Sequence, residues 1–147
     1  AFDFDYKGHN WIARGNIDYG HLGDAATISK YNREQSSTSP YKRTHVGKNA
    51  VAGGIEAGYN VFSQIRKLRE SGDKLYVFGR YEYSYVPVKG ATKYSWTDRQ
   101  RMAIGVNYYP IKEIVVKAEY SQRFLKSQYN NEPSISLGIA YAGYFIK

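Results

Sequence analysis

The chain has 147 residues, a mean hydropathy of −0.61 and no apolar run near the roughly 18 residues of a membrane-spanning helix, which excludes a helical membrane protein. It has no Cys, hence no disulfide framework or thiolate chemistry, and its net charge of +8 is spread along the chain near acids rather than gathered into a nucleic-acid-binding stripe. A β-barrel that crosses a membrane on alternating strands remains open, because such strands have ordinary average hydropathy. The 16 Tyr fit it, since an apolar ring with a polar tip suits an oil–water boundary.

Period two dominates from the start. Residues 2–7, Phe-Asp-Phe-Asp-Tyr-Lys, alternate strictly. Over 10–22, Trp11, Ala13, Gly15, Ile17 and Tyr19 share one face, and Arg14, Asn16 and Asp18 the other. Residues 23–52, rich in Ser, Thr, Lys and Asn, read as a long extracellular or pore-mouth loop. A strand over 53–62 sets Ile55, Ala57, Tyr59 and Val61 against Glu56, Gly58 and Asn60. Segment 63–73 has room for about two helical turns. Over 74–87, Leu75, Val77, Gly79, Tyr81, Tyr83 and Tyr85 oppose Tyr76, Phe78, Arg80, Glu82 and Ser84. After a loop at 88–98, a strand over 100–109 sets Met102, Ile104, Val106 and Tyr108 against Arg101, Ala103, Gly105 and Asn107. A tight turn at 110–112 leads into 113–124, where Ile114, Val116, Ala118 and Tyr120 oppose Val115, Lys117, Glu119, Ser121 and Arg123. A loop at 125–133 precedes the last run, 134–146, in which Ile135, Leu137, Ile139, Tyr141 and Phe145 oppose Ser136, Gly138, Ala140, Ala142 and Tyr144.

All runs but the first reach about ten residues, the length that crosses a bilayer at a tilt, whereas strands of soluble proteins average about five or six. Tight and long connections alternate, as the periplasmic turns and extracellular loops of outer-membrane barrels do. The expected fold is therefore all-β, an antiparallel up-and-down transmembrane β-barrel, with residues 1–147 forming one barrel domain or a fragment of one. Seven strands put the two ends on opposite sides, but a single-chain bacterial barrel has an even number. Either the chain is the C-terminal part of a larger barrel, or an eighth strand lies within 23–52. The first residues, AFDFDYKGHN, lack the features of a signal peptide, so an exported protein would be numbered here from after cleavage or from within a longer chain.

Three stretches, KLYVFGRYEYSYVPV at 74–88, RMAIGVNYYPIKEIVVKAEYSQR at 101–123 and SISLGIAYAGYFIK at 134–147, carry a resemblance to the C-terminal hairpins of phosphate-selective porin-like outer-membrane proteins. NWIARGNIDYGHL at 10–22 fits the same pattern. The resemblance covers roughly half the chain and implies a barrel of about sixteen or more strands, often trimeric, around a water-filled pore. The final strand is similar to the outer-membrane assembly signal at Leu137, Ile139, Tyr141 and Phe145, with Gly143 interrupting the series and Ile146 and Lys147 following the aromatic residue. Phosphate selectivity is not carried over.

In a barrel the apolar face meets lipid and the polar face the lumen. The pore-lining candidates are Arg14, Asp18, Glu56, Arg80, Glu82, Arg101, Asn107, Lys117, Glu119 and Arg123, with Asn16 and Asn60 beside them. The lipid-facing set is Trp11, Ile17, Tyr19, Ile55, Tyr59, Met102, Ile104, Val106, Tyr108, Val116, Tyr120, Leu137, Ile139, Tyr141 and Phe145. Arginines in a pore attract anions, but Arg80 with Glu82 and Lys117 with Glu119 also suit mutually neutralising ladders, the reading favoured here. Lys30, Arg33, Lys42, Arg43 and Lys48 of the long loop suit a pore constriction or anion attraction at the mouth, but the reading favoured here is that they face solvent or the phosphates of lipopolysaccharide. His9, His21 and His45 lack metal-ligand spacing, no Ser–His–Asp order stands out, and Gly47-Lys48 lacks the rest of a phosphate loop. No catalytic residue, metal or cofactor is expected.

The expectation is a bacterial outer-membrane porin for passive diffusion of small polar or anionic solutes, with membrane lipid and lipopolysaccharide as surroundings and a homotrimer or larger envelope complex as assembly. The alternatives are a non-conducting barrel for adhesion, anchoring or complex formation, and a soluble β-barrel with its apolar face inward. Val106→Arg is expected to block assembly, and Asn107→Arg to fold and change conductance alone.

Overall fold

The computed structural model describes residues 1–35, 45–87, 98–125 and 132–141. Seven antiparallel strands form one open sheet in sequence order: β1 Phe2–Gly8, β2 Trp11–His21, β3 Asn49–Asn60, β4 Lys74–Tyr85, β5 Asp98–Ile111, β6 Ile114–Leu125 and β7 Glu132–Tyr141. Each is hydrogen-bonded to the strand before it, so the chain meanders up and down without a crossover. Helix α1, Ala25–Gln35, follows β2; a short 3-10 turn, Val61–Gln64, and helix α2, Arg66–Ser71, link β3 to β4.

Local chemistry explains the tight end. His9 and Asn10 both take positive φ, 50° and 66°, between the paired Gly8 and Trp11. That is the two-residue turn whose twist matches the flanking strands, and Asn tolerates it well. Gly72 caps α2 at φ 84°, where a Cβ would be strained. Between β5 and β6 the turn lies at Lys112 and Glu113 rather than at 110–112, because the register shifts between Tyr108 and Ile111. Pro110, with no N–H to give to the ladder, sits in that irregularity, which lets β5 continue past the 109 expected from sequence.

Two further boundaries differ from the sequence reading. β3 begins at Asn49, not 53, because Asn49, Ala50 and Val51 find partners in His21, Gly20 and Tyr19. The segment expected to be an unstructured loop contains α1, whose first turn closes by Ile28 N–H donating to the Asp24 carbonyl at 3.0 Å, with Lys30 and Glu34 one turn apart on its surface. No strand occurs between β2 and β3 among the described residues; 36–44, where an eighth strand was also allowed, lie outside them, as do Lys42 and Arg43. Phe145 and the end of the last predicted strand lie outside them too.

Register sorts the side chains into two faces. On one, Trp11 lies beside Tyr59, Tyr59 beside Val77, Val77 beside Val106, Val106 beside Ala118 and Ala118 beside Leu137. On the other, Arg14 lies beside Glu56 and Glu56 beside Arg80. The sheet curls around this polar face: residues from β1 through β6 line one concavity of about 860 Å³. Burial is inverted relative to a water-soluble fold. Glu56, Asn107 and Ser121 on the concave face are 3–8% exposed, whereas Ile104, Leu137 and Ile139 on the convex face are 59–80% exposed. The buried hydrophobic residues among those described are Ala25, Tyr76, Phe78 and Ala103.

Candidate functional site: the ion-paired concave face

The concave face holds a continuous network of guanidinium and carboxylate groups. Glu56, in mid-β3, accepts from Arg14 Nε at 2.9 Å through Oε1 and from Arg80 Nε at 2.7 Å through Oε2. Arg80 extends its Nη2 to Glu119 Oε2 at 3.1 Å. Arg101 Nη2 meets Glu119 Oε1 at 2.8 Å and Ser121 Oγ at 3.2 Å, while its Nη1 lies 3.4 Å from Glu82 Oε2. Arg80 Nη1 is 3.9 Å from Glu82 Oε1. Three arginines and three glutamates from five strands thus neutralise one another.

Small neighbours make these reaches possible. The cross-strand partner of Arg80 on β5 is Ala103, followed on β6 by Ser121. Neither fills the space above the sheet, so Arg80 passes over β5 to a carboxylate on β6. Phe78, 4% exposed, lies between Gly58 and Gly105 and presents its ring 5.5 Å beneath the Arg80 guanidinium. A Cβ at Gly105 would stand 2.6 Å from the Phe78 ring, so glycine is what admits the ring there. The ring in turn supports the guanidinium from below, a favourable cation–π placement.

All ten predicted lining residues stand on this face. Arg14, Glu56, Arg80, Glu82, Arg101 and Glu119 form the network. Asp18 accepts from Asn16 Nδ2 at 2.8 Å, apart from the network. Arg123 bridges to Glu132 on β7 at 3.3 Å. Asn107 and Lys117 face each other across β5 and β6 nearer the tight-turn end, where Asn107 is buried beside Tyr76 and Lys117 is exposed. Of the two ladder pairs expected, Arg80–Glu82 is present at 3.9 Å but is secondary to Arg80–Glu56 across the strands, and Lys117–Glu119 does not form: the Glu119 carboxylate is engaged by Arg80 and Arg101, and Lys117 has no ion pair among the described residues.

Sequence reasoning passed over Asp3, Asp5 and Arg99, all of which line the concavity. The strict alternation of Asp3 and Asp5 with Phe2 and Phe4 marked their face; Arg99 fell just before the predicted start of its strand. Among the described residues no group of three or more His, Asp or Glu is placed to hold a metal.

On the convex face the described members of the predicted lipid-facing set all share one side. Aromatic residues stand at both strand ends, Trp11, Tyr59, Tyr108 and Tyr141 toward the tight turns and Tyr19, Tyr83, Tyr85 and Phe124 toward the long connections, and also in mid-strand, where Tyr81 pairs with Ile55 and Tyr120 with Ile104. Trp11 and Tyr59 stack with ring centroids 4.9 Å apart. Ile55, Ile104, Val106, Ala118, Leu137 and Ile139 share that middle zone with Tyr81 and Tyr120. Comparison of the chain with protein-family models, curated proteins and solved structures gives no match.

Proposed function

We propose that this chain forms part of a bacterial outer-membrane β-barrel whose hydrated interior passes small polar solutes by diffusion. The observation that carries the reading is the inverted placement of side chains: charged groups on the inside of the curl, and large apolar groups exposed over the outside of every strand. Water would penalise that outer face, since large contiguous apolar patches are rare on soluble proteins. A bilayer would favour it, at about 0.8 kcal/mol per buried methylene.

Two further features support the reading. Strands of 10–14 residues, as β3 to β7 are, rise about 3.3 Å per residue and at a 45° tilt span the roughly 25 Å apolar band of an outer-membrane barrel. Aromatic residues at both strand ends, around a middle that is mostly aliphatic but also holds Tyr81 and Tyr120, suit two headgroup boundaries. The test is reconstitution into planar bilayers: stepwise ionic conductance is expected, and a sealed, inserted protein would remove the transport function.

A second reading, a non-conducting barrel used for anchoring or assembly, is favoured by the network itself. Its charges balance, and Glu56 and Glu119, at 5% and 15% side-chain exposure, are more enclosed than groups on the wall of a wide pore. Barrels of about eight strands have interiors that side chains fill. The same conductance experiment separates the two.

A further inference from the structure

At the tight-turn end, His9-Asn10 and Lys112-Glu113 each join two strands with two residues. The connection from β3 to β4 at the same end, residues 61–73, is far longer and holds the 3-10 turn and helix α2. Its contacts set it against the convex side of the sheet. Ser63 Oγ donates to the Tyr59 hydroxyl at 3.3 Å, and Gln64 Nε2 donates to the same oxygen. The Phe62 ring meets the Tyr108 ring edge-on, with centroids 6.1 Å apart. Tyr59 and Tyr108 both belong to the convex face: Tyr59 pairs with Trp11 and Val77, and Tyr108 stands two places along β5 from Val106. None of residues 61–73 lines the concavity.

The two sides of α2 differ in chemistry. Helical spacing brings Arg66 and Glu70 together, and Arg66 Nε holds Glu70 Oε1 at 2.9 Å, so that side is neutral. Leu68 falls on the opposite side. Ile65, the residue before the helix, stands three places from Leu68 on its side and is 51% exposed. Lys67 and Arg69 flank Leu68, are exposed, and have no ion pair among the described residues. An apolar side flanked by free cations, held beside the end tyrosines of the convex face, has the make-up of a segment lying in a membrane surface. There apolar side chains enter the acyl boundary and long basic ones reach the headgroup phosphates.

We propose that residues 61–71 form a membrane-surface anchor, with Ile65 and Leu68 in the lipid boundary and Lys67 and Arg69 on the phosphates of anionic phospholipid headgroups. The inference rests on the convex face being the lipid-facing wall described under the proposed function. It adds the element that fixes how deep this wall sits and the lipid chemistry that the element takes. The attraction of a cation to an anionic lipid surface fades within a Debye length, about 8 Å at physiological salt. Only groups held at the surface gain from it, and the contacts to Tyr59 and Tyr108 hold this connection there.

The chain has no Cys, so a single introduced Cys carries a single nitroxide label. The protein is folded into vesicles of phosphatidylcholine with about one-third phosphatidylglycerol. Power-saturation EPR then compares the label's collisions with oxygen, which concentrates in lipid, and with a nickel chelate, which stays in water. The label at Ile65→Cys is expected to favour oxygen, and the label at Glu70→Cys, on the other side of the same helix, to favour nickel. Adding Lys67→Gln with Arg69→Gln should shift the Ile65→Cys label toward nickel, and so should vesicles of phosphatidylcholine alone. Nickel-dominated labels at both positions overturn the proposal, as does an Ile65→Cys label that neither the double substitution nor the loss of anionic lipid moves. Ile104→Cys, in mid-β5 on the convex face, keeps the two readings apart. Oxygen at Ile104→Cys with nickel at Ile65→Cys leaves the lipid-facing wall and removes the anchor; nickel at Ile104→Cys removes the wall on which the anchor rests.

Discussion

Ile104→Arg measures directly what covers the convex face. Ile104 lies at the middle of β5, is 59% exposed, and has Gly79 and Tyr120 as cross-strand neighbours. Gly79 leaves open space, with nothing within 4 Å of where its Cβ would be, so an arginine fits sterically. If water bathed this face, the substitution would change stability by no more than about 0.5 kcal/mol. At the mid-depth of a bilayer an arginine on the lipid side of a strand costs about 2–4 kcal/mol. That is about 30- to 900-fold in the ratio of folded to unfolded protein.

Urea titration of the protein folded into phosphatidylcholine vesicles reads this difference. Ser136→Arg is the matched control, because it adds the same charge to the concave face, on an exposed position of β7 opposite Glu119. It should stay within about 0.5 kcal/mol of the parent. Asn107, the control that sequence alone suggests, is unsuitable: at 8% exposure beside Tyr76 it has no room for an arginine, so Asn107→Arg is expected to destabilise rather than fold freely. Parental stability of Ile104→Arg in vesicles, or equal damage from Ser136→Arg, would refute the assignment of faces.

Glu56→Gln should lower stability by about 2–3 kcal/mol in the same titration, since it leaves Arg14 and Arg80 without their shared carboxylate while Arg80 keeps Glu119; in a conducting protein, reversal potentials should also shift toward anions. Gly105→Ala should cost about 1–3 kcal/mol, because its Cβ would lie 2.5 Å from the Ala118 carbonyl oxygen and 2.6 Å from the Phe78 ring. Gly72→Ala should cost about 1 kcal/mol from its left-handed backbone alone, as nothing crowds the site. Gly79→Ala, with open space and no positive φ, should be neutral or slightly stabilising by the same measurement.

The assignment of residues to faces was legible in the sequence. The alternation of Ile55 with Glu56, or Ile104 with Ala103, survives into the sheet unchanged because strand periodicity is a property of two adjacent residues and needs no partner. Helix α1 was hidden for the opposite reason: its composition is polar and only Ala25 is buried, so no apolar stripe announced it. The end of β5 was misjudged because Pro110 reads as a stop until a neighbouring strand supplies an irregular pairing that tolerates it.

By itself, then, the sequence determined seven alternating strands and which side chains share a face. Tertiary structure alone decided that Arg14 and Arg80 would meet on Glu56, that Arg80 would cross Ala103 to Glu119, and that Asp3 would share a space with Arg99 and Arg123. Those meetings join residues on different strands, 42 positions apart for Arg14 and Glu56. They depend on register and curl, which arise only when whole strands pair and the sheet bends around small residues at its centre.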